Sequence, residues 1–192
     1  MSVAIYSVTT GEILRSVSCP SGSEDMQCAG GEAWCYADRG IDATHYIDSG
    51  TIIAKDAQTS PLHTWDWPTK TWLPPGLDVL RAAKWAEVKQ ARNAATRAPI
   101  STPFGVFDAD DAAQANISKR VQMLNNTPAA SLPLIIEFTR HDNTVATLTP
   151  AQMVQVGLLL GAQVEAAFAK GRVLRSAIDA AGTSDLIGAI SW

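Results

Sequence analysis

Up to residue 63 the hydrophobic positions fall in short runs broken by glycines and polar turns, and beyond residue 76 they recur at helical spacing. Runs at 4–8 and 13–19 predict two strands about a turn containing Gly11, with the side chains of the second alternating imperfectly between two faces. Residues 20–25 are polar and turn-forming and predict a loop. An aromatic run at 33–36, between Gly30-Gly31 and Asp38-Arg39-Gly40, predicts a third strand. Residues 44–48 and 51–55 flank Ser49-Gly50, a two-residue turn signal, and predict a hairpin. Residues 1–63 are expected to form a small antiparallel β meander.

Residues 64–75 carry three of the six tryptophans. Trp65 and Trp67 are two apart, which in a strand places both rings on one face, and Pro68-Thr69-Lys70 supplies a turn toward Trp72 on a returning strand. A two-stranded ribbon is marginal alone, so these rings need a surface to pack against. The stretch is expected to be the junction between the β module and a helical domain over residues 76–192.

In that domain Leu77, Leu80, Lys84, Val88, Ala91 and Ala95 form the stripe of a first helix, which Pro99 stops by residue 98. Residues 100–107 predict an extended segment with a turn or bulge at Gly105. Asp108, Asp110 and Asp111 open a second helix, with Ile117, Val121 and Leu124 on its apolar face. Residues 134–139 and 144–148 flank His141-Asp142-Asn143 and predict an inserted hairpin. Thr149, Pro150 and Gln152 read as a capping box for a long helix whose face is Met153, Val156, Leu160, Val164 and Phe168. Gly157 and Gly161, four apart, invite close approach of a neighbour. Gly171 predicts a break or kink, Gly182 a C-terminal cap, and residues 184–190 a short last helix before a docked Trp192.

Composition narrows the classes. A hydrophobic share of 46% supports a packed core. Charged residues are 18%, against a typical share of roughly 25%, which fits a surface partly covered by other chains and equally a high alanine content. A net charge of −4 with no Lys/Arg run gives no phosphate-binding footprint, so no nucleic-acid partner is expected. The first residues lack a basic then apolar signal segment, and the most apolar stretch, 153–168, is interrupted by Gln155, Gln163 and Glu165. A soluble chain made in a cytoplasm, without membrane insertion, is expected.

Reactive constellations are sparse. Cys19, Cys28 and Cys35 match no zinc spacing, and their odd number argues against a disulfide framework. A calcium loop starting at Asp108 would need glycine and glutamate where Ala113 and Lys119 stand. His141, Asp142 and Glu137 fall at or near a hairpin tip, where polar residues are usual, and His45 and His63 stand apart from other ligands. No catalytic, cofactor-binding or metal residues are expected, and the chain is read as no enzyme. Trp65, Trp67 and Trp72 suit burial or a subunit interface better than a sugar-stacking platform.

Trp85, Val88 to Asn93, Phe104 to Asp110, Gln114 to Ile117, Asp142-Asn143, Leu148 to Met153, and the end from Ile178 through Leu186 to Trp192 resemble a C-terminal domain of unknown function, of the DUF4376 type, found in many tailed-phage tail proteins. The resemblance spans roughly 65–192, with Lys89 where members often carry a second arginine. Gly11 to Pro20, Gly31 to Trp34 and His45 to Asp48 are similar to front segments of tail-fibre and baseplate-associated proteins.

The expected fold is α+β: an N-terminal antiparallel β module (1–63), a Trp-rich β ribbon (64–75) and a C-terminal helical domain with an inserted hairpin (76–192). The resemblance implies a structural part of a phage virion, in the tail tip, baseplate or fibre attachment, made in the host bacterial cytoplasm. It further implies a homo-oligomer, with threefold or sixfold symmetry expected and a trimer among the forms it allows, bound to neighbouring tail proteins. Trp65, Trp67, Trp72, Phe104, Phe107 and Trp192 are the expected contact residues. The alternatives are a tail-fibre assembly chaperone and a host-receptor-binding module.

Overall fold

Val3, Ala4 and Ile5 have no exposed surface, and the strand that holds them, β1 (Ser2–Ser7), is the centre of the first sheet. The computed structural model describes residues 1–38, 40–133 and 135–192; the turn expected through Arg39 and the strand start expected at Leu134 lie outside the described residues. The fold is α+β, in two compact units, Met1–Gly76 and Leu77–Trp192.

In the first unit β2 (Ile13–Ser18) and β3 (Glu32–Tyr36) both pair antiparallel with β1, giving the order β2-β1-β3. This differs from the sequential order of a meander. β1 is apolar on both faces, Val3 and Ile5 on one and Ala4 on the other, so it gains most from the centre. The intervening loop is tied across one face of the sheet. The Arg15 guanidinium donates to both Glu32 carboxylate oxygens, at 2.8 and 2.6 Å, and to the Gln27 carbonyl at 2.7 Å. The Trp34 indole donates to Asp25 at 2.6 Å.

The other face is covered by the hairpin of β4 (His45–Asp48) and β5 (Thr51–Ala54), whose Ile47 packs with Ala4 and Ile13. Its turn residues Ser49 and Gly50 have φ of 50° and 80°, the left-handed pair that a two-residue turn requires. Cys19, Cys28 and Cys35 are free thiols. Burial pushes the Cys35 thiol above its usual value, and burial, then Glu32 and Asp25, does the same to Cys28.

The second unit is built on α3 (Pro150–Ala180), against which α1 (Leu77–Arg97) and α2 (Asp111–Asn126) pack. Both arms of the Thr149–Gln152 capping box are present, and Asp110 caps α2 by accepting from the Ala113 N–H at 2.8 Å. Two hairpins complete the core: β8 (Ile100–Thr102) with β9 (Gly105–Phe107), and β10 (Ile136–Thr139) with β11 (Val145–Leu148). Arg140 ties them together, its Nε donating to the Phe104 carbonyl at 2.9 Å.

Helix ends are closed by side chains from other elements, because their carbonyls lack partners within the helix. Gln163 of α3 donates to the carbonyls of Ala95 and Ala98, and Gln114 of α2 to that of Thr96. Gly182 has no left-handed backbone and is not the cap of α3; Ala181 leaves the helix extended, and Arg81 of α1 donates to its carbonyl at 2.9 Å. Gly171 does not break α3. It is buried, and a Cβ there would stand 3.2 Å from Cδ of Arg92, so the glycine admits α1 without interrupting the helix. Gly157 likewise admits Val121 of α2, whereas Gly161 faces open space. The last helix, α4 (Ser184–Gly188), is shorter than expected and capped by Thr183.

Candidate functional site

Trp65 and Trp72 stand directly opposite one another across the ribbon of β6 (Thr64–Asp66) and β7 (Thr71–Leu73), with ring centroids 5.3 Å apart at an interplanar angle of 73°. Such edge-to-face pairing sets the positive edge of one ring on the negative face of the other. Trp67 does not continue the strand. Asp66 ends it, accepting from the Thr69 N–H at 3.0 Å and the Thr69 hydroxyl at 2.5 Å, and these bonds hold its carboxyl below the usual range. Trp67 therefore opens the turn, yet its ring still meets Trp65 edge-on at 6.3 Å. Tyr46 of β4 joins the cluster, 5.6 Å from Trp65.

Two ammonium groups lie over these rings. Lys55 Nζ is 5.4 Å from the Trp65 centroid and 5.0 Å from that of Trp67. Lys70 Nζ is 5.2 Å from both Tyr46 and Trp67 and donates to the Thr10 carbonyl. Burial among the rings pulls the Lys55 ammonium below its usual value, against the upward pull of Glu12 and Asp42. Trp72 donates its indole N–H to the Asp56 carbonyl at 2.8 Å, while the buried indole N–H of Trp65 has no partner among the described residues. All three indoles are half-buried. The cluster thus offers aromatic edges and positive charge, chemistry suited to contact rather than bond-making.

The other expected contact residues are spread through the second unit. Phe107 is fully buried in the core, tilted against Phe138 at 5.8 Å, and has no surface left for a partner. Its place in a short apolar run is equally the mark of a core strand, which is why sequence alone did not separate the two uses. Phe104 is half-buried at the β8–β9 turn, and half-buried Trp192 lies beneath Lys170, whose Nζ is 4.7 Å from the ring centroid.

One arrangement escaped the sequence reading. Between α1 and α3 a cleft of about 430 Å³ is lined by Trp85, Arg92, Phe168, Arg172, Arg175 and Asp179 among others. Arg92 stacks on Phe168 at 4.7 Å and Arg175 on Trp85 at 5.2 Å. Phe168, Arg172, Arg175 and Asp179 recur along one side of α3, a signal that only the partner helix makes readable. The charges are mostly satisfied: Arg172 meets Glu165 at 2.6 Å and Arg175 meets Asp179 at 3.0 Å.

His141 pairs with Asp108 at 2.5 Å rather than with Asp142, which accepts from Thr144 instead. Among the described residues no three His, Cys, Asp or Glu side chains gather as a metal set, and no helix is long and apolar enough to cross a membrane.

The family described as a domain of unknown function, DUF4376, matches residues 79–191. The match starts within α1 and runs past α4, so it covers the second unit and none of the tryptophan ribbon. No curated protein and no solved structure matches the chain.

Proposed function

This chain belongs to the DUF4376 family, and on that premise we propose that it is a non-enzymatic structural component of a tailed-bacteriophage tail, in the baseplate, tail tip or fibre attachment. It works through protein–protein contacts, with copies of itself and with neighbouring tail proteins, and is made in the cytoplasm of the host bacterium. The observation that carries the reading is the tryptophan cluster. Three half-buried indoles, two of them beneath lysines, lie in the unit that the family match leaves out, where a contact specific to one tail would be placed. Aromatic side chains with one face covered are what protein interfaces use as anchors. The resemblance of the second unit to a domain found in tail proteins supports the virion reading.

Mass spectrometry of purified particles is the direct test. The chain is expected among the virion proteins, in several copies per particle. Its presence in infected cells but absence from particles would overturn the structural role and leave the assembly chaperone. Binding of the isolated protein to host cells, or competition with phage adsorption, would move it to receptor recognition.

A further inference from the structure

Leu158 and Val173 of α3 are 69% and 68% exposed, Leu158 at the rim of the groove that α3 forms with Val121 of α2. Between and beyond them the same side carries Ala162, Ala166, Ala169, Ala177 and Ala180, of which only Ala169 is half-buried. From Leu158 the spacing runs four, four, three, four, four, three, so Leu158, Ala169 and Ala180 recur every eleven residues. An eleven-residue recurrence keeps one face of a nearly straight helix toward one partner. The spacing of these positions is nearly symmetric about Ala169: Leu158 and Ala180 stand eleven residues to either side, Ala162 and Ala177 seven and eight, and Ala166 and Val173 three and four.

Charge decides what covers this face. Glu165 and Arg172 flank it on the same edge, on either side of the midpoint. Within one helix they reach each other over two turns at 2.6 Å, both more than half exposed. In an antiparallel pair each edge of one helix meets the same edge of the other, so Glu165 of one copy stands near Arg172 of the second, twice over. A parallel pair would set this edge against the one holding Lys170, which offers Arg172 no carboxylate.

We propose that the exposed face of α3 binds a second copy of this chain, helix against helix, antiparallel about Ala169. Small residues let the two backbones approach, and Leu158 and Val173 supply the larger apolar contacts. From Leu158 to Ala180 the contact is about 33 Å long at 1.5 Å per residue. One helix pair of that length buries less than a standard interface of ~800 Å² per partner, so micromolar or weaker association is expected. This contact does not depend on the virion reading, since it uses none of the tryptophan cluster and requires only two copies.

Sedimentation velocity over a concentration series, on the full chain, tests it. The wild type is expected to go from monomer to dimer. E165R and R172E each place like charges at both cross-pairs and are expected to weaken the dimer about tenfold or more. A one-to-one mixture of the two variants restores both cross-pairs but leaves like charges within each helix, so recovery in the mixture separates a contact between copies from a helix-stabilising role. Val173→Lys is expected to abolish the dimer while circular dichroism retains the helix content. A monomer at every concentration, a trimer indifferent to the charge changes, or a mixture no tighter than its parts would overturn the proposal.

Discussion

A Cβ placed on Gly11 would lie 2.0 Å from the carbonyl oxygen of Ile47, whose N–H donates to the Gly11 carbonyl at 2.8 Å. Gly11 also sits at φ 73°, where a side chain costs ~1–2 kcal/mol before any clash, and overpacking adds ~1–3. Gly11→Ala is expected to destabilise the first unit by about 2–5 kcal/mol in urea titrations followed by tryptophan fluorescence. A loss below ~1 kcal/mol would mean that the β4–β5 hairpin moves aside freely.

Trp72 tests the ribbon. Its ring is half-buried rather than enclosed, so Trp72→Ala is expected to cost about 2–3 kcal/mol, below the ~3–5 of a fully buried aromatic. Trp72→Phe keeps the ring contact with Trp65 and loses the hydrogen bond to Asp56, at about 1 kcal/mol. Equal losses in the two variants would place the whole effect in that bond.

The two glycines of α3 should behave oppositely. Gly161→Ala meets open space and is expected to stabilise by roughly 0.5–1 kcal/mol through helix propensity. Gly157→Ala sets a Cβ 2.7 Å from Cγ2 of Val121 and is expected to destabilise by about 1–2 kcal/mol net. Val121→Ala should relieve that strain, so a thermodynamic cycle with both substitutions is expected to show positive coupling; additivity would contradict the close approach.

Glu32 sets an acid-dependent fastening in the first unit. The Arg15 side chain, then the Ala29 N–H, holds its carboxyl at about 2, against an ordinary 4.5. A depressed carboxyl gives stability that is full above pH 4.5 and is lost as the pH falls toward 2. Carbon NMR of the Glu32 carboxyl should titrate near the lower value, and Arg15→Ala should return it toward the upper one. Glu32→Gln is expected to flatten acid unfolding across that window.

Local chemistry was legible in the sequence and distant partnership was not. Ser49-Gly50, Asp110 and the Thr149–Gln152 box act on their own few residues of backbone, and each forms the turn or cap its pattern implied. The stripe from Leu77 to Ala95 is the covered side of α1 for the same reason. The pairing of β3 with β1 joins segments some thirty residues apart, which no run of side chains announces. Gly171 and Gly182 act otherwise than their patterns imply because of a helix far back in the chain: Gly171 makes room for Arg92, and Arg81 donates to the Ala181 carbonyl beside Gly182. In the candidate site the tryptophans stood out at once. Lys55 did not, since its position over Trp65 and Trp67 follows from where the β4–β5 hairpin lands.

Lys70 reaches back to the Thr10 carbonyl, and that contact has a consequence for the order of assembly. The turn of the last hairpin in the first unit closes on the first turn of the chain, so nearly the whole β unit must be synthesised before its ends can meet. Closing so long a loop is slow, whereas α1, α2 and α3 grow from neighbouring contacts, each in its own segment. The part that leaves the ribosome first is therefore expected to be the slower to settle. Its tryptophans and strand edges would stay open for that interval, which is when a newly made copy is most prone to meet the wrong neighbour.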